Sequence, residues 1–426
     1  MSMATGFLTG AKDRLLPASV PFRFFIAASL FHILAWAALF WGADQVPGFA
    51  GGTGPVLAAI HLLTLGVFAM TAIGASYQLL PVATRKPLAR TWPTRLSFWL
   101  FLPGVAILTA GMALHENAWM MTGAVAACAG LAVFALLTAD NLRRAGSVPI
   151  VAAHGWAALA ALVALAAIGL TLIEDFRAGF LPRHGDLATL HLVLASYGFM
   201  GMLVFGFSLV LVPMFVLSRS LPTRPGWAQL GLAVAALVLF SAAYALHGGV
   251  LAWLAFAAAL GATGAHLWLM RAALRSSMRR RLGLPFVQIR SAWGFLALSL
   301  VLGGLLLAGV PVPNGAALFG FVLLAGWLLT FLTGVLQRII PFLASMHAAG
   351  KSGLPPLLSE LTAENALKTH SVCHFAALAV CAAGILLDLP VVIRVGAAIG
   401  VVGAIGFAVF TITVAVKIAR RHHRAA

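Results

Sequence analysis

The sequence predicts an all-α integral membrane protein with twelve transmembrane helices. Of its 426 residues, 62% are hydrophobic and only 9% are charged, and the mean hydropathy is +1.03. This composition lies far outside the range of soluble globular proteins. Twelve apolar runs are long enough to cross a hydrocarbon core of about 30 Å. They cover residues 20–43, 54–81, 95–115, 117–141, 149–173, 186–216, 225–247, 250–273, 288–309, 314–341, 369–388 and 391–418.

The first run is predicted to be a membrane helix, and the longest hydrophilic segment follows the tenth run. The first run spans about 24 residues, lacks a small-residue cleavage site and precedes further spans, so we expect it to be retained as a helix rather than removed as a signal peptide. Residues 342–368, after the tenth run, form the only long hydrophilic segment and are predicted to be a loop on the inner side. The three cysteines all fall in predicted spans, so no disulfide framework is implied.

The basic charge of the chain is a topology signal. The formal net charge is +17, with 27 Lys and Arg residues. If both termini are cytoplasmic, only Arg177, Arg183 and Arg394 lie on the outer side, which leaves the other 24 of the 27 inside. This asymmetry follows the positive-inside rule and indicates a bacterial-type inner membrane protein. A nucleic-acid partner is therefore not needed to explain the charge.

Three spans share a sequence pattern. The second, IHLLTLGVFAMTAIGASYQLLPV, resembles the sixth, LHLVLASYGFMGMLVFGFSLVLVPMF, and more weakly the tenth, FGFVLLAGWLLTFLTGVLQRIIPF. Each has glycines fifteen and seven residues before a proline. These residues are Gly66, Gly74 and Pro81, then Gly198, Gly206 and Pro213, then Gly326, Gly334 and Pro341. The spacing predicts a single transmembrane domain, 1–426, built as a pseudo-threefold ring of four-helix units at roughly 15–145, 146–285 and 286–420. The alternative is that glycines recur only because they let membrane helices approach closely.

Histidines inside spans are candidates for cofactor binding. His61 and His191 lie at matching depths in the second and sixth spans, and His32 lies midway along the first. A buried imidazole needs a partner, which is either haem iron, copper or a neighbouring backbone carbonyl. His61 stands twenty residues before its proline and His191 twenty-two, so their rings should leave the two helices in different directions.

A second cluster, THSVCHF at residues 369–375, could bind copper or zinc. Its residues His370, Cys373 and His374 stand at positions i, i+3 and i+4 and so share one face of a helix. The alternative is an ordinary helix start at the inner membrane surface. No Asp, Glu or Lys lies in the middle of a span, which argues against the carboxylate relay of a proton-coupled transporter.

Together, these features resemble subunit I of the haem-copper oxidase and nitric oxide reductase superfamily. The resemblance rests on the twelve helices, the four-helix period, His61 followed by YQLLPV, and His191. It implies that His61 ligates a low-spin haem and that His191 ligates the active-site metal. The chain departs from the family at its tenth helix, where Phe319 and Phe321 occupy the positions of a His-x-His motif.

Two further departures bear on catalysis. The seventh span lacks the family's adjacent histidine pair and offers only the terminal His247, and Tyr197 follows His191 by six residues rather than four. We therefore expect a divergent relative that does not reduce oxygen or nitric oxide by the usual mechanism. No catalytic residue is assigned.

The sequence thus favours a cytochrome c oxidase subunit I-like membrane protein that binds haem or copper near the outer side. The candidate cofactors are haem b and copper, with His61, His191 and His32 as cofactor-binding residues. His191, His370, Cys373 and His374 are the candidate metal ligands. The expected role is respiratory or nitric-oxide-linked electron transfer, cofactor handling or sensing, with a separate electron donor or respiratory subunit as partner. The alternative is a transporter or assembly factor that kept the helical ring without its cofactors.

Overall fold

The protein is all-helical, as predicted. The computed structural model describes residues 15–88, 90–146, 148–279, 281–348 and 356–425, and within these ranges it contains no β-strand. The described residues form twelve helices that are long and apolar enough to cross a membrane, so the chain contacts a lipid bilayer. These helices are α1 (Ser19–Trp41), α2 (Pro55–Thr84), α3 (Trp92–Leu114), α4 (Asn117–Arg143), α5 (Pro149–Ala178), α6 (His184–Val216), α7 (Thr223–Leu246), α8 (Gly249–Arg275), α9 (Leu284–Leu307), α10 (Gly315–Ala348), α11 (Glu364–Leu386) and α12 (Pro390–Ala425).

The segment predicted as a long inner loop is shorter than expected. Helix α10 continues to Ala348, a one-turn helix covers Leu358–Leu361, and α11 begins at Glu364. Hydropathy falls where a helix leaves the hydrocarbon, but backbone hydrogen bonds continue beyond that depth, so the helices extend past the apolar runs. Residues 349–355 of this predicted loop lie outside the described residues.

Helices α2, α6 and α10 form the centre of the bundle. In their most apolar windows 67%, 89% and 67% of the residues are buried by protein, compared with 17–50% in the other nine spans. They contact one another pairwise through Leu62–Ala69, Leu194–Met200 and Val322–Leu329. A helix surrounded by other helices needs no polar face, which agrees with the apolar sequences of these three helices.

Each central helix contains a stretch of π-helix at the same position. These stretches are Leu62–Ala69, Leu194–Met200 and Val322–Leu329. All three begin nineteen residues before the proline of their helix, at Pro81, Pro213 and Pro341. Because π-helical turns are rare and often occur at functional sites, three at one position indicate a shared structural requirement.

The six repeated glycines make equivalent close contacts. In each central helix the two glycines, eight residues apart, face side chains seven residues apart on the preceding helix. A methyl group at any of them would lie 2.6–3.1 Å from that side chain. The pairs are Gly66 with Phe31, Gly74 with Phe24, Gly198 with Ala161, Gly206 with His154, Gly326 with Phe295, and Gly334 with Gln288. This threefold recurrence is the packing that an internal repeat would produce.

The outer helices pack as three hairpins. Helix α3 packs against α4, α7 against α8, and α11 against α12. Helix α4 also contacts α5, α8 contacts α9, and α12 contacts α1, the first span. We call the membrane face where α1 begins and α12 ends the termini face, and the opposite one the far face.

Candidate functional site

His61 of α2 and His191 of α6 come together. Their ring centroids are 6.3 Å apart and the ring planes are inclined by 25°. Their different positions relative to the prolines, which suggested diverging rings, do not separate them. Two neighbouring helices can meet through different faces, so two rings that leave their helices in different directions can converge between them.

The two imidazoles line a cavity of about 390 Å³. This volume falls in the range of small-molecule and cofactor sites. The cavity extends from Gly51, Gly52 and His184, near the far face, down to Ala325 and Leu329 in α10. Its remaining lining is mostly aliphatic, so a ligand there would be held by apolar contacts and by the few polar groups that line it.

The hydrogen bond of His61 fixes its tautomer. Its Nδ1 lies 3.0 Å from the Leu57 carbonyl oxygen, and since a carbonyl can only accept, Nδ1 carries the proton. The lone pair is then on Nε2, the atom free to bind a metal ion. A ring N–H bonded to a backbone carbonyl is the usual support of a metal-bound imidazole.

His191 is held differently. Its Nδ1 is buried and has no hydrogen-bond partner among the described residues. Gly169 of α5 makes room for its ring, because a methyl group at that position would lie 3.1 Å from Cε1 of His191. The ring also has a hydrogen bond to the Leu165 backbone, so one ring nitrogen is left without a partner. Such a buried nitrogen costs about 1–3 kcal/mol, which a bound group could offset.

The spacing of the two rings fits one metal ion between them. With metal–nitrogen bonds of about 2 Å and about 1 Å from ring nitrogen to ring centre, two opposed imidazoles have centroids about 6 Å apart. The observed 6.3 Å agrees with this value. This distance joins ring centres, and on it the two residues would fit a group held by two imidazoles, such as haem iron. No Arg or Lys is among the residues that line the cavity, so a porphyrin would have to keep its carboxylates at the mouth, in contact with water.

A hydrogen bond between His184 and Asp175 orders the mouth of the cavity. Nδ1 of His184 lies 2.7 Å from Oδ2 of Asp175, and the other oxygen of Asp175 accepts a hydrogen bond from the Leu181 amide at 2.6 Å. These contacts connect the end of α5 to the start of α6. They hold His184, which lines the mouth, in one position.

His32 lies with the α11 histidines rather than in the cavity. Its ring centroid is 5.9 Å from that of His370, which is 5.6 Å from that of His374. Cys373 is partly exposed, and the described residues contain no group of three His, Cys, Asp or Glu side chains arranged to hold a metal ion. The i, i+3, i+4 pattern therefore brings two histidines of α11 together with His32 instead of with Cys373.

The phenylalanines of α10 occupy the positions expected from the repeat. Phe321, which corresponds to His61, lines the cavity and packs edge-on against Trp36 with ring centroids 6.5 Å apart. Phe319 packs near Gly303 of α9. The third central helix thus supplies hydrocarbon where the other two supply imidazole.

Sequence reasoning missed several buried polar residues. Gln288, Thr330 and Gln337 are all fully or nearly fully buried and contact polar partners. The sequence does indicate that Gln288 and Gln337 need partners, because a glutamine in a membrane span is costly without one. His154 was also missed, and it is bonded to the Ile150 carbonyl at 2.8 Å and to Gln229 at 2.9 Å.

Comparison of the chain with protein-family models and with curated proteins gave no match. The function must therefore be argued from the site itself.

Proposed function

We propose that this membrane protein binds haem, or a metal ion, between His61 and His191. The observation that carries the proposal is the pair of imidazoles 6.3 Å apart across an apolar cavity of about 390 Å³. A purely structural role in hydrogen bonding does not account well for the burial of His191, because its Nδ1 has no hydrogen-bond partner among the described residues. When bound, haem b would supply one-electron chemistry, and copper is the second candidate.

The chain's own residues would hold and tune this group. His61 presents Nε2, with its ring orientation set by the Leu57 carbonyl. Gly169 sets the position of His191, and the aliphatic lining excludes water from all but the mouth. An apolar shell of this kind controls the reduction potential of a bound metal centre.

We further propose a role in respiratory or nitric-oxide-linked electron transfer, cofactor handling or sensing. The resemblance to subunit I of the haem-copper oxidase superfamily supports this role. A standard terminal oxidase is not proposed, because Phe319 and Phe321 offer no lone pair to iron. A separate electron donor or respiratory subunit would dock from outside the bundle.

The proposed arrangement is a pseudo-threefold ring with both termini in the cytoplasm of a bacterial-type cell. The three π-helical stretches and the recurring glycine contacts support the ring. Charge supports the orientation: on the far face each of the three basic residues is paired with an acid. The ion pairs are Arg177–Glu174, Arg183–Asp186 and Arg394–Asp44. Paired charges leave little net positive charge on this face, as expected for an outer surface.

The test is a visible spectrum of the full chain, purified in detergent and titrated with haemin, together with iron and copper analysis. We expect a Soret band in the wild-type protein that is shifted or lost in His61→Ala and in His191→Ala. His266→Ala is the matched control, since this buried histidine of α8 does not line the cavity. A wild-type spectrum in both cavity variants would overturn the proposal.

One observation favours the second candidate, a cofactor-free transporter or assembly factor. The cavity reaches the far face, yet its lining contains no Arg or Lys to pair with porphyrin carboxylates. An uncharged apolar ligand would fit such a lining equally well. If the purified chain takes up neither haemin nor copper, this second candidate replaces the first.

A further inference from the structure

A second cavity lies at the termini face, apart from the cavity that contains His61 and His191. The two cavities share no lining residue. The second has a volume of about 360 Å³, which falls in the range of small-molecule sites. It lies between α10, the starts of α9 and α11, and the one-turn helix Leu358–Leu361. The polar and charged residues that line it are Gln337, Arg338, Ser359, Thr362, Glu364 and Lys368.

Arg338 of α10 contributes a partly buried positive charge to this cavity. Its guanidinium forms one hydrogen bond, from Nη2 to the Leu282 carbonyl oxygen. Its Nε is buried and has no hydrogen-bond partner among the described residues. Because a guanidinium has five N–H donors, most of the donors of Arg338 are not used by the protein.

The positive charge at the cavity is not neutralised by the described residues. None of their ion pairs includes Arg338 or Lys368, the two cations that line the cavity. Glu364 lines the same cavity but does not pair with either of them. Arg279, in the connection from α8 to α9, adds a further positive charge that acts on Arg338. A charge that is partly withdrawn from water without a counterion is costly, so a bound anion would stabilise this region.

The first turn of α9 adds to the positive potential. Helix α9 begins at Leu284, which lines the cavity, and it has no acidic residue in its first turn. The N-terminal end of a helix carries a partial charge of about +0.5. Helix α11 also begins at the cavity, but Glu364 in its first turn offsets that charge. The cavity therefore favours an anion through two side chains and one helix end.

The repeated scaffold does not itself require a cation at the position of Arg338. Arg338 stands three residues before Pro341, and the corresponding residues of α2 and α6 are Gln78 and Val210. Neither Gln78 nor Val210 lines one of the two cavities. The same helix packing is thus achieved with an uncharged amide or an aliphatic side chain. Among the three copies, the cation occurs where the position opens into a cavity.

The depth of Arg338 matches that of lipid phosphate groups. The apolar run of α10 ends at residue 341, whereas the helix itself continues to Ala348. Arg338 therefore lies close to the level at which the hydrocarbon ends. The headgroup region of each leaflet begins at this level and is roughly 5–8 Å thick.

The lining residues fit the chemistry of an anionic phospholipid headgroup. Arg338 offers a planar set of donors that matches phosphate oxygens, and Lys368 offers a point charge. The Thr362 hydroxyl donates to the Leu358 carbonyl at 2.7 Å, so its oxygen can accept a hydrogen bond from a hydroxyl group of the ligand. Leu358 and Leu367 provide apolar contacts for the glycerol backbone and the first acyl carbons. A choline headgroup would bring a cation next to Arg338, which disfavours a zwitterionic lipid.

We propose that this cavity is a phosphate-binding site in which Arg338 and Lys368 hold the anion. The ligand is a phosphate group with a net negative charge, either in the headgroup of an anionic phospholipid or as inorganic phosphate. The apolar part of the lining favours the lipid. Bound there, the phosphate joins the starts of α9 and α11 to α10. No covalent step is involved, and the proposal does not rest on haem binding.

The test is native mass spectrometry of the full chain, purified in detergent and titrated with phosphatidylglycerol or phosphatidylcholine. We expect one phosphatidylglycerol to bind the wild type about tenfold more tightly than phosphatidylcholine, because two cations face its net charge. Arg338→Gln should weaken this binding by about tenfold, since charge-assisted hydrogen bonds to phosphate are lost. Lys368→Gln should weaken it by about fivefold. Arg290→Gln is the matched control and should bind like the wild type, because this exposed arginine of α9 lines neither cavity.

A second measurement distinguishes the lipid from free phosphate. Phosphorus-31 NMR follows the broadening of the inorganic phosphate signal by lipid-depleted protein. Broadening that Arg338→Gln abolishes identifies inorganic phosphate as a ligand. Its absence, together with a preference for phosphatidylglycerol, identifies the lipid.

Three results would overturn the phosphate site. The first is a wild type that binds both lipids equally and leaves the phosphate signal unchanged, a comparison that needs no variant to fold. The second is an Arg338→Gln variant that binds as tightly as the wild type, and the third is an Arg290→Gln variant that binds as weakly as Arg338→Gln. Arg338→Lys keeps the charge without the planar donor set, so its affinity should be intermediate.

Discussion

Alanine at Gly169 should weaken ligation by His191 without unfolding the protein. The added methyl carbon would lie 3.1 Å from Cε1 of His191, whereas carbon atoms pack best at about 3.5–4.0 Å. The imidazole must therefore move by about 0.4–0.9 Å. Metal–ligand distances tolerate only about 0.2 Å, so the displacement exceeds what a bound metal ion accepts. We expect affinity for haem or metal to fall by about 10–100-fold, as for other losses of ligand support.

The fold should survive this change for a separate reason. Alanine in place of a mid-helix glycine favours the helix by about 0.5–1 kcal/mol, which offsets much of the crowding against a movable ring. The assay is haemin titration followed by the Soret band, with thermal unfolding in detergent measured in parallel. Gly264→Ala is the control, because nothing lies within 4 Å of a methyl group there. Equal affinities in wild type and Gly169→Ala would refute the assignment of His191 as a ligand.

Three other outcomes are expected. Alanine at each central-helix glycine seven residues before its proline should cost about 1–3 kcal/mol of unfolding free energy through overpacking, whereas the unobstructed Gly294→Ala should not. These glycines are Gly74, Gly206 and Gly334. Reporter fusions at Gly248 and Arg424 should report opposite membrane faces, and one shared face would contradict the twelve-helix map. With an artificial electron donor, the purified chain should consume neither oxygen nor nitric oxide above a His191→Ala control, and turnover that depends on His191 would contradict this.

Sequence predicted the helices well because span length and hydropathy are local properties. All twelve runs are helices in the structure. The errors are in the helix bounds, for example at Ala348 and Glu364, because the backbone hydrogen bonds of the helix continue beyond the apolar run. The π-helical stretches had no such signal. The sequence of Leu62–Ala69 is typical of an ordinary apolar α-helix, and its π-helical turns depend on how α2 packs against its neighbours.

Contacts between distant residues could be predicted only in part. His61 and His191 were paired by depth, but their convergence depends on how α2 and α6 are rotated toward each other. His32 and His370 are 338 residues apart, and they meet because α12 packs against both α1 and α11. A sequence shows which residues need a partner inside the membrane, but not which helix supplies it.

The third copy of the central helix explains how one scaffold separates two kinds of histidine site. In α10 the position of His61 is occupied by Phe321, which packs on Trp36, and Trp36 in turn bonds to His32. Phenylalanine supplies an apolar contact on the wall of the large cavity, where an imidazole would have offered a further ring nitrogen. Phe321 and Trp36 therefore lie between the pair His61 and His191 on one side and His32 on the other.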